Sequence, residues 1–332
     1  QTLSLMRFFF LYFGNCIVNL QYYQLFKVRK KTEFVFNFDF FCSLFREKSV
    51  YISMKTIIIF LFCASLLACT LAPEDSSGDT WNIHFLDVGQ GLSVLFESNG
   101  KFALYDTGPD SIHFERILKS FNVDTLEWIV LSHLHRDHAG GFLEITQDSA
   151  DFFIKHVFWN KDSSQYWLLD SIQKLLSIKE IPNSSLYKGE KIQFEGNSLN
   201  TLWPVPEKQL TENASSIVLH LKSGNESLLL TGDIEKEEEK NLLEFYPTLN
   251  ASLFQVPHHG AETSSSLKFL ETLQIQFAVV SNAKKNPYGH PAKETLKKLE
   301  AAIGQAENIF RTDTLGSICF TWEFNVGIWR CQ

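Results

Sequence analysis

With 332 residues, 45% of them hydrophobic and 20% charged, the chain can hold one large domain or two. This composition belongs to a folded globular protein and excludes a disordered one. A net charge of −8 argues against a sequence-independent nucleic-acid binder, which works through a basic footprint.

Residues 1–53 hold 11 of the 30 Phe, start on Gln1 and stop just before Met54. They read as an upstream extension added by an over-long gene model. The alternative is a membrane anchor around 8–26, where Asn15, Asn19, Gln21 and Gln24 interrupt the apolar run. Met54-Lys55-Thr56 is a short positive start, and 57–67 is an apolar core too short to span a bilayer. Leu66-Leu67-Ala68-Cys69 and a polar stretch through Asp79 follow. The pattern resembles a bacterial lipoprotein signal: a signal peptide over 54–68, a lipid on Cys69, a tether over 69–80 and a domain over 81–332. A plain secretory signal is the alternative, and both imply export. Thr70 after the Cys, in place of Asp, favours the outer membrane in a cell with two membranes. Residues 1–69 carry 8 Lys/Arg against 3 Asp/Glu, so the net charge of −8 leaves −13 on the remainder.

Ile83 and Phe85 alternate with Asn82 and His84, predicting a strand over 81–88 that ends at the Gly89-Gln90-Gly91 turn. Further strands are expected over 92–97 and 102–105, the latter closing at Asp106-Thr107-Gly108. Ile112, Ile117, Leu118 and Phe121 share one face of a helix over 112–121. Residues 128–131 read as a short buried strand. Ser132-His133-Leu134-His135-Arg136-Asp137-His138-Ala139-Gly140-Gly141 comes next, with the Gly pair turning the chain into a helix over 141–146. A strand over 156–159, a helix over 165–176 and a strand over 192–194 are weaker signals. Strands over 217–221 and 227–230 make a hairpin-like pair about Ser223-Gly224-Asn225. A charged helix over 235–245 and a strand over 253–256 lead to Pro257-His258-His259-Gly260. Then come a helix over 266–273, a strand over 277–281, a loop over 287–291 and a helix over 292–304. Residues 317–324 and 327–332 read as a hairpin. Cys319 and Cys331 lie symmetrically about Asn325 in it, so a cross-strand disulfide and two separate thiols are both open. Strand runs punctuated by helices predict an α/β fold, an αββα sandwich of two sheets with helices outside.

The chemistry gathers at strand ends. Side chains alternate on an extended segment, so His133 and His135 point the same way and can hold one cation. Asp137 and His138, past the strand end, can reach a second position. Asp233 follows Leu228-Leu229-Leu230 and reads as a carboxylate bridging two cations, or alone as a helix cap. One of His258 and His259 is expected as a further ligand, the other as a donor to substrate or to a neighbouring group. Asp106 is expected to be structural, accepting hydrogen bonds that hold the ligand loop. Asp137 and Asp233 are the candidates for orienting an attacking water. Asn213, Ser216, His259 and His290 are candidate substrate donors, with ordinary loop hydrogen bonding as the alternative. His84, His156 and His220 read as sheet-face residues. Imidazole with carboxylate suits zinc, iron or manganese, and paired metals are the usual setting for phosphate-ester hydrolysis.

The H-x-H-x-D-H string after a strand resembles the signature of the metallo-β-lactamase-fold hydrolases. Phe85-Leu86-Asp87-Val88-Gly89-Gln90-Gly91 and Tyr105-Asp106-Thr107-Gly108 narrow the resemblance to the soluble domain of ComEC-type competence proteins. So do Asn213-Ala214-Ser215-Ser216-Ile217-Val218, Leu230-Thr231-Gly232-Asp233, Val256-Pro257-His258-His259-Gly260, Asn286-Pro287-Tyr288-Gly289-His290-Pro291 and residues 311–318. The resemblance covers nearly all of 82–320. It implies a metallo-β-lactamase fold with two divalent cations, zinc or manganese. In the competence channel it implies a nuclease that degrades one DNA strand during uptake; related exported enzymes cleave phosphorylcholine from cell-wall polymers. The wider fold offers one more His before the bridging Asp. Here the 213–216 segment takes that place, leaving one cation with His133, His135 and Asp233. The expectation is an exported, lipid-anchored phosphodiesterase or nuclease related to competence DNA uptake. Its alternatives are a lactone or β-lactam hydrolase and a non-catalytic metal- or DNA-binding lipoprotein. The −13 favours a small or zwitterionic phosphodiester, unless Lys284, Lys285, Lys293, Lys297 and Lys298 collect beside the site.

Overall fold

A computed structural model describes residues 26–30, 33–36, 80–147, 149–160, 166–206 and 210–331. The proposed signal peptide, Cys69, most of the tether and most of the N-terminal extension lie outside them. The chain divides into two units, 1–74 and 75–332. In the first, Phe26–Lys30 pairs antiparallel with Glu33–Phe36. Among the described residues no helix is long and apolar enough to cross a membrane.

The second unit holds two large sheets. The eight-stranded one runs, edge to edge, Asn183–Ser184, Val157–Trp159, Ile129–Leu131, Lys101–Tyr105, Val94–Ser98, Thr80–Phe85, Ile318–Glu323 and Gly327–Arg330. The seven-stranded one runs Lys191–Phe194, Asn197–Trp203, Val218–Ser223, Glu226–Leu230, Leu253–Gln255, Phe277–Val280 and Ile309–Arg311. Because strands alternate their side chains, each sheet has two apolar faces to bury. Phe85, Phe96 and Tyr105 of the first sheet meet Leu219, Leu228 and Leu230 of the second in a shared core. On the first sheet's outer face, Leu95, Leu104 and Ile129 pack against Phe114, Leu118 and Phe142 of the helices Phe114–Ser120 and Arg136–Ile145. On the second, Leu229, Phe254 and Ala278 pack against helices Lys236–Phe245, Leu267–Leu273 and Lys293–Ile303. Helix, sheet, sheet, helix is the αββα sandwich.

One side of each sheet is parallel. Lys101–Tyr105, Ile129–Leu131 and Val157–Trp159 run together. So do Glu226–Leu230, Leu253–Gln255, Phe277–Val280 and Ile309–Arg311. Parallel strands share a carboxyl edge, and Asp106, Ser132, Asp233, His259 and Ser281 all follow such ends. The sheets are tied there: the Tyr105 hydroxyl donates to the Ile217 carbonyl (2.6 Å) and the Ile217 N–H to the Ser132 carbonyl (2.8 Å).

Several boundaries differ from expectation. The helix after the histidine string begins at Arg136, so Asp137 and His138 sit in its first turn and Gly140-Gly141 in its middle. The glycines do not turn the chain; they let the helix approach another backbone. A Cβ on Gly141 would stand 2.2 Å from the Thr107 carbonyl oxygen. The strands Asn197–Trp203 and Ile309–Arg311 and the short helix Thr312–Leu315 have no counterpart among the expected elements. The terminal hairpin forms, and Cys319 and Cys331 are disulfide-bonded with Cα atoms 5.3 Å apart. The expected helix over 165–176 is Tyr166–Ile178.

Candidate metal centre

Asp106 anchors the site from below. Fully buried, it accepts from the Ser132 N–H (2.6 Å), the Ser132 hydroxyl (2.7 Å) and Nδ1 of His138 (2.8 Å). With Nδ1 of His138 donating to a carboxylate, Nε2 of the neutral ring is left as a lone pair, 3.2 Å from Asp233 Oδ2. The His259 tautomer follows still more directly. Its Nδ1 lies 2.8 Å from the carbonyl oxygen of Ser281, which can only accept, so Nδ1 carries the hydrogen. In the neutral ring Nε2 of His259 is then a lone pair, 3.3 Å from Nε2 of His138, 3.3 Å from Asp137 Oδ2 and 3.6 Å from Asp233 Oδ2.

On the other side of Asp233, Nδ1 of His133 lies 3.1 Å from the Ser132 hydroxyl and 3.3 Å from that of Ser216. Its Nε2 is buried without a hydrogen-bond partner, as is Asp233 Oδ1. His133, His135 and Asp233 bring ligand atoms within 4.8 Å of one another, and Asp137, His138 and His259 do the same. With the imidazoles neutral, acceptors therefore converge with no hydrogen between them. Burying such atoms unpaired is costly, and a positive charge at the centre resolves it. These residues fit two divalent cations.

The electrostatics show the same demand for positive charge, met by protons on His138 and His259 when no cation is held. Burial pushes the His138 imidazole down, but Asp233 and Asp106 carry it well above its usual value. Burial works against protonated His259 too, and Asp233 and Asp137 overcome it. Conversely, burial would raise Asp233 and Asp137, yet the charges of His138 and His259 and the His259 contact to Asp137 hold both low. Burial and the neighbouring His138 depress His133 well below 6.5. The carboxylates attract positive charge into a pocket that offers His133 as a neutral ligand.

Local backbone explains who arrives. Gly232, at φ +55, lets Asp233 turn inward; a Cβ there would meet Ser216 Cβ at 2.9 Å and Ser132 Cβ at 3.0 Å. His258 and His259 both adopt left-handed backbone, at φ 51 and 54, which sends the adjacent rings to different places. His259 joins the centre. His258 joins neither group: its Nδ1 is 3.2 Å from Glu235 and its Nε2 3.5 Å from Asn213. Ser216, expected on the substrate side, is fully buried; its hydroxyl accepts from the Asp233 N–H (3.0 Å) and meets His133, so it positions ligands. Asn213 and His290 do lie by the centre, and Oδ1 of the one and Nδ1 of the other are buried without partners. His84 pairs with Glu97, His156 meets Ser184, and His220 donates to the Asn250 carbonyl, all away from the site. Of the five lysines, Lys284, Lys285, Lys293 and Lys297 are exposed, while Lys298 donates to the Ser265 carbonyl (2.8 Å).

Two residues escaped the sequence. Glu212 places Oε2 2.5 Å from Nε2 of His135, fixing a ring that is otherwise 25% exposed. Its adjacency to Asn213 was the available signal. Ser132 was in view inside the string, but its contacts to Asp106, His133 and His138 depend on the tight turn at the strand end.

The model of the metallo-beta-lactamase superfamily matches residues 86–282, well over half of the chain. The chain belongs to this superfamily. Within it, similarity runs to competence proteins. The chain is 26% identical over 277 residues to ComE operon protein 3 of Bacillus subtilis, covering 74% of this chain and 33% of that one. It is 29% identical over 251 residues to competence protein ComA of Neisseria gonorrhoeae, covering 70% and 31%. It is also 31% identical over 251 residues to the uncharacterized protein YcaI of Escherichia coli, covering 72% and 30%. The chain thus spans about a third of the length of these curated relatives. Asp106, both ligand groups and Asn213 all fall inside the superfamily match.

Proposed function

We propose that this superfamily member is an exported, dinuclear metal-dependent phosphodiesterase or nuclease. The convergence of acceptor atoms on Asp233 carries the reading. His133, His135 and Asp233 would hold one cation and Asp137, His138 and His259 the other, with zinc or manganese suited to imidazole and carboxylate. Such cations supply Lewis acidity and acidify a water, which phosphate-ester hydrolysis requires.

The chain's own groups do the rest. Asp233, held by Ser216, fixes the spacing of the two positions. Asp137, at the open edge of the site, orients the attacking water. His290 and Asn213, each with an unpartnered polar atom, bind the substrate's polar groups. Similarity to competence proteins supports DNA or a smaller phosphodiester as substrate. Cys69 would carry a lipid and tether the enzyme to the cell envelope, in the outer membrane where there are two.

The full chain, loaded with manganese or zinc, should be offered bis-p-nitrophenyl phosphate, single-stranded DNA and nitrocefin side by side. Hydrolysis of a phosphodiester is expected, with Asp137→Ala slower by roughly 100-fold or more. Bound metal without turnover of anything would sink the enzymatic reading, and turnover of nitrocefin alone would move it to lactam chemistry. Unchanged turnover by Asp137→Ala would sink the site assignment. Intact mass of protein taken from native membranes should show acylated Cys69.

A further inference from the structure

A row of rings leads out of the centre. His290 stacks on His259, with ring centroids 6.5 Å apart and planes at 24°. Tyr288 stacks on His290 in turn, at 5.7 Å and 27°. The Tyr288 side of this row faces water, since the residue is 66% exposed.

The loop that carries it is firmly held. Asn286 Oδ1 accepts from the N–H groups of Tyr288 (3.2 Å) and His290 (3.0 Å), while its amide donates to the carbonyls of His290 (2.7 Å) and Ala283 (3.0 Å). The loop is also seated against the ligand turn. The Ala292 N–H donates to the Gly260 carbonyl (2.9 Å), and a Cβ on Gly260 would stand 2.6 Å from Pro291 Cβ. Packed on one face against His290, the Tyr288 ring leaves its other face uncovered on a constrained loop. What it does offer is a rigid flat surface two ring steps from the ligand His259. Lys284 and Lys285, both exposed, lie on the same loop.

We propose that the outer face of Tyr288 is a nucleobase platform, so that the phosphodiester presented to the centre belongs to a single-stranded nucleic acid. The inference rests on the phosphodiesterase reading and names its substrate class. It also accounts for a difficulty. With a net charge of −8, the protein has little counterion release from which to draw affinity for a polyanion. Base stacking on an aromatic ring is independent of net charge and tolerant of sequence. It also requires an unpaired base, which selects single strands over duplex.

The test compares two fluorescein-labelled oligonucleotides of equal length, oligothymidylate and its abasic counterpart with the same phosphates. Binding is read by anisotropy and cleavage by gel, with the full metal-loaded chain. Wild type should prefer the base-bearing strand by about 5- to 100-fold in both readouts. Tyr288→Ala should bring that ratio toward unity, while Tyr288→Phe should keep it. Because the ratio is internal, a loss of metal moves both strands together and leaves it intact, and an unchanged thermal unfolding midpoint of Tyr288→Ala separates loss of the ring from loss of the fold. A wild-type ratio near one, or a wild-type ratio retained by Tyr288→Ala, overturns the platform. A ratio that behaves as expected in binding while nothing is cleaved upholds the platform and sinks the hydrolase reading. Cleavage of both strands at equal rates does the reverse.

Discussion

The two ligand groups adjoin at Asp233 but are built differently. In the group of Asp137, His138 and His259, both imidazoles are buried and each is locked from behind, one by Asp106 and the other by the Ser281 carbonyl. In the group of His133, His135 and Asp233, His133 is held by two hydroxyls while His135 is partly exposed and steadied by Glu212. The backing groups of a ligand fix its tautomer and direction before any cation arrives. One group is therefore preorganised on carboxylate and backbone, and the other is open and rests on a surface acid. Calorimetric titration of metal should show two steps, the tighter one belonging to the group that contains His138 and His259.

The difference can be broken at several depths. Asp233→Ala should have the largest effect, abolishing both steps and lowering any phosphodiesterase rate on the order of 1,000-fold, because it leaves the buried histidines without their central carboxylate. Metal content by mass spectrometry and the rate on bis-p-nitrophenyl phosphate check this. Asp106→Ala should weaken the tighter step by about 10- to 100-fold and the other less, since it touches the first group directly through His138 and the second only through the Ser132 hydroxyl. Equal weakening of both steps would erase the distinction drawn here. Glu212→Ala should weaken only the looser step, by about tenfold.

His220 supplies the smallest effect and a control outside both groups. Burial lowers its pKa from 6.5, so its neutral form stabilises the fold. That contribution is present above pH 6.5 and lost as pH falls through the lowered folded value. Chemical denaturation of His220→Asn between pH 7 and pH 4 should show a flatter acid limb than wild type, with both metal steps unchanged.

Much of the centre was legible because its chemistry is local in sequence. Four potential ligands within six positions, after an apolar strand, left few other readings for His133, His135, Asp137 and His138. What could not be read depends on backbone geometry or on distant partners. The left-handed pair at His258 and His259 decides which ring enters the centre, and nothing in the letters H-H distinguishes them. Gly140-Gly141 read as a break because glycine disfavours helix, whereas here contact with the Thr107 backbone outweighs propensity. The strand Asn197–Trp203 was hidden by Asn197, Ser198 and Asn200, which lie on its less buried positions and blur the alternation. Glu212 meets His135 across 77 positions, a contact that only the folded sheets create.

The pairing of Thr80–Phe85 with Ile318–Glu323 sets the order in which the domain can be completed. Thr321 and Asn82 bond across 239 positions, so the first strand of the large sheet waits for almost the last one to be made. Closing so long a loop is slow, and until it closes one edge of Thr80–Phe85 offers unpaired backbone to any passing chain. A ribosome or translocation pore that releases this protein in sequence order therefore releases a sheet that remains open until its end emerges.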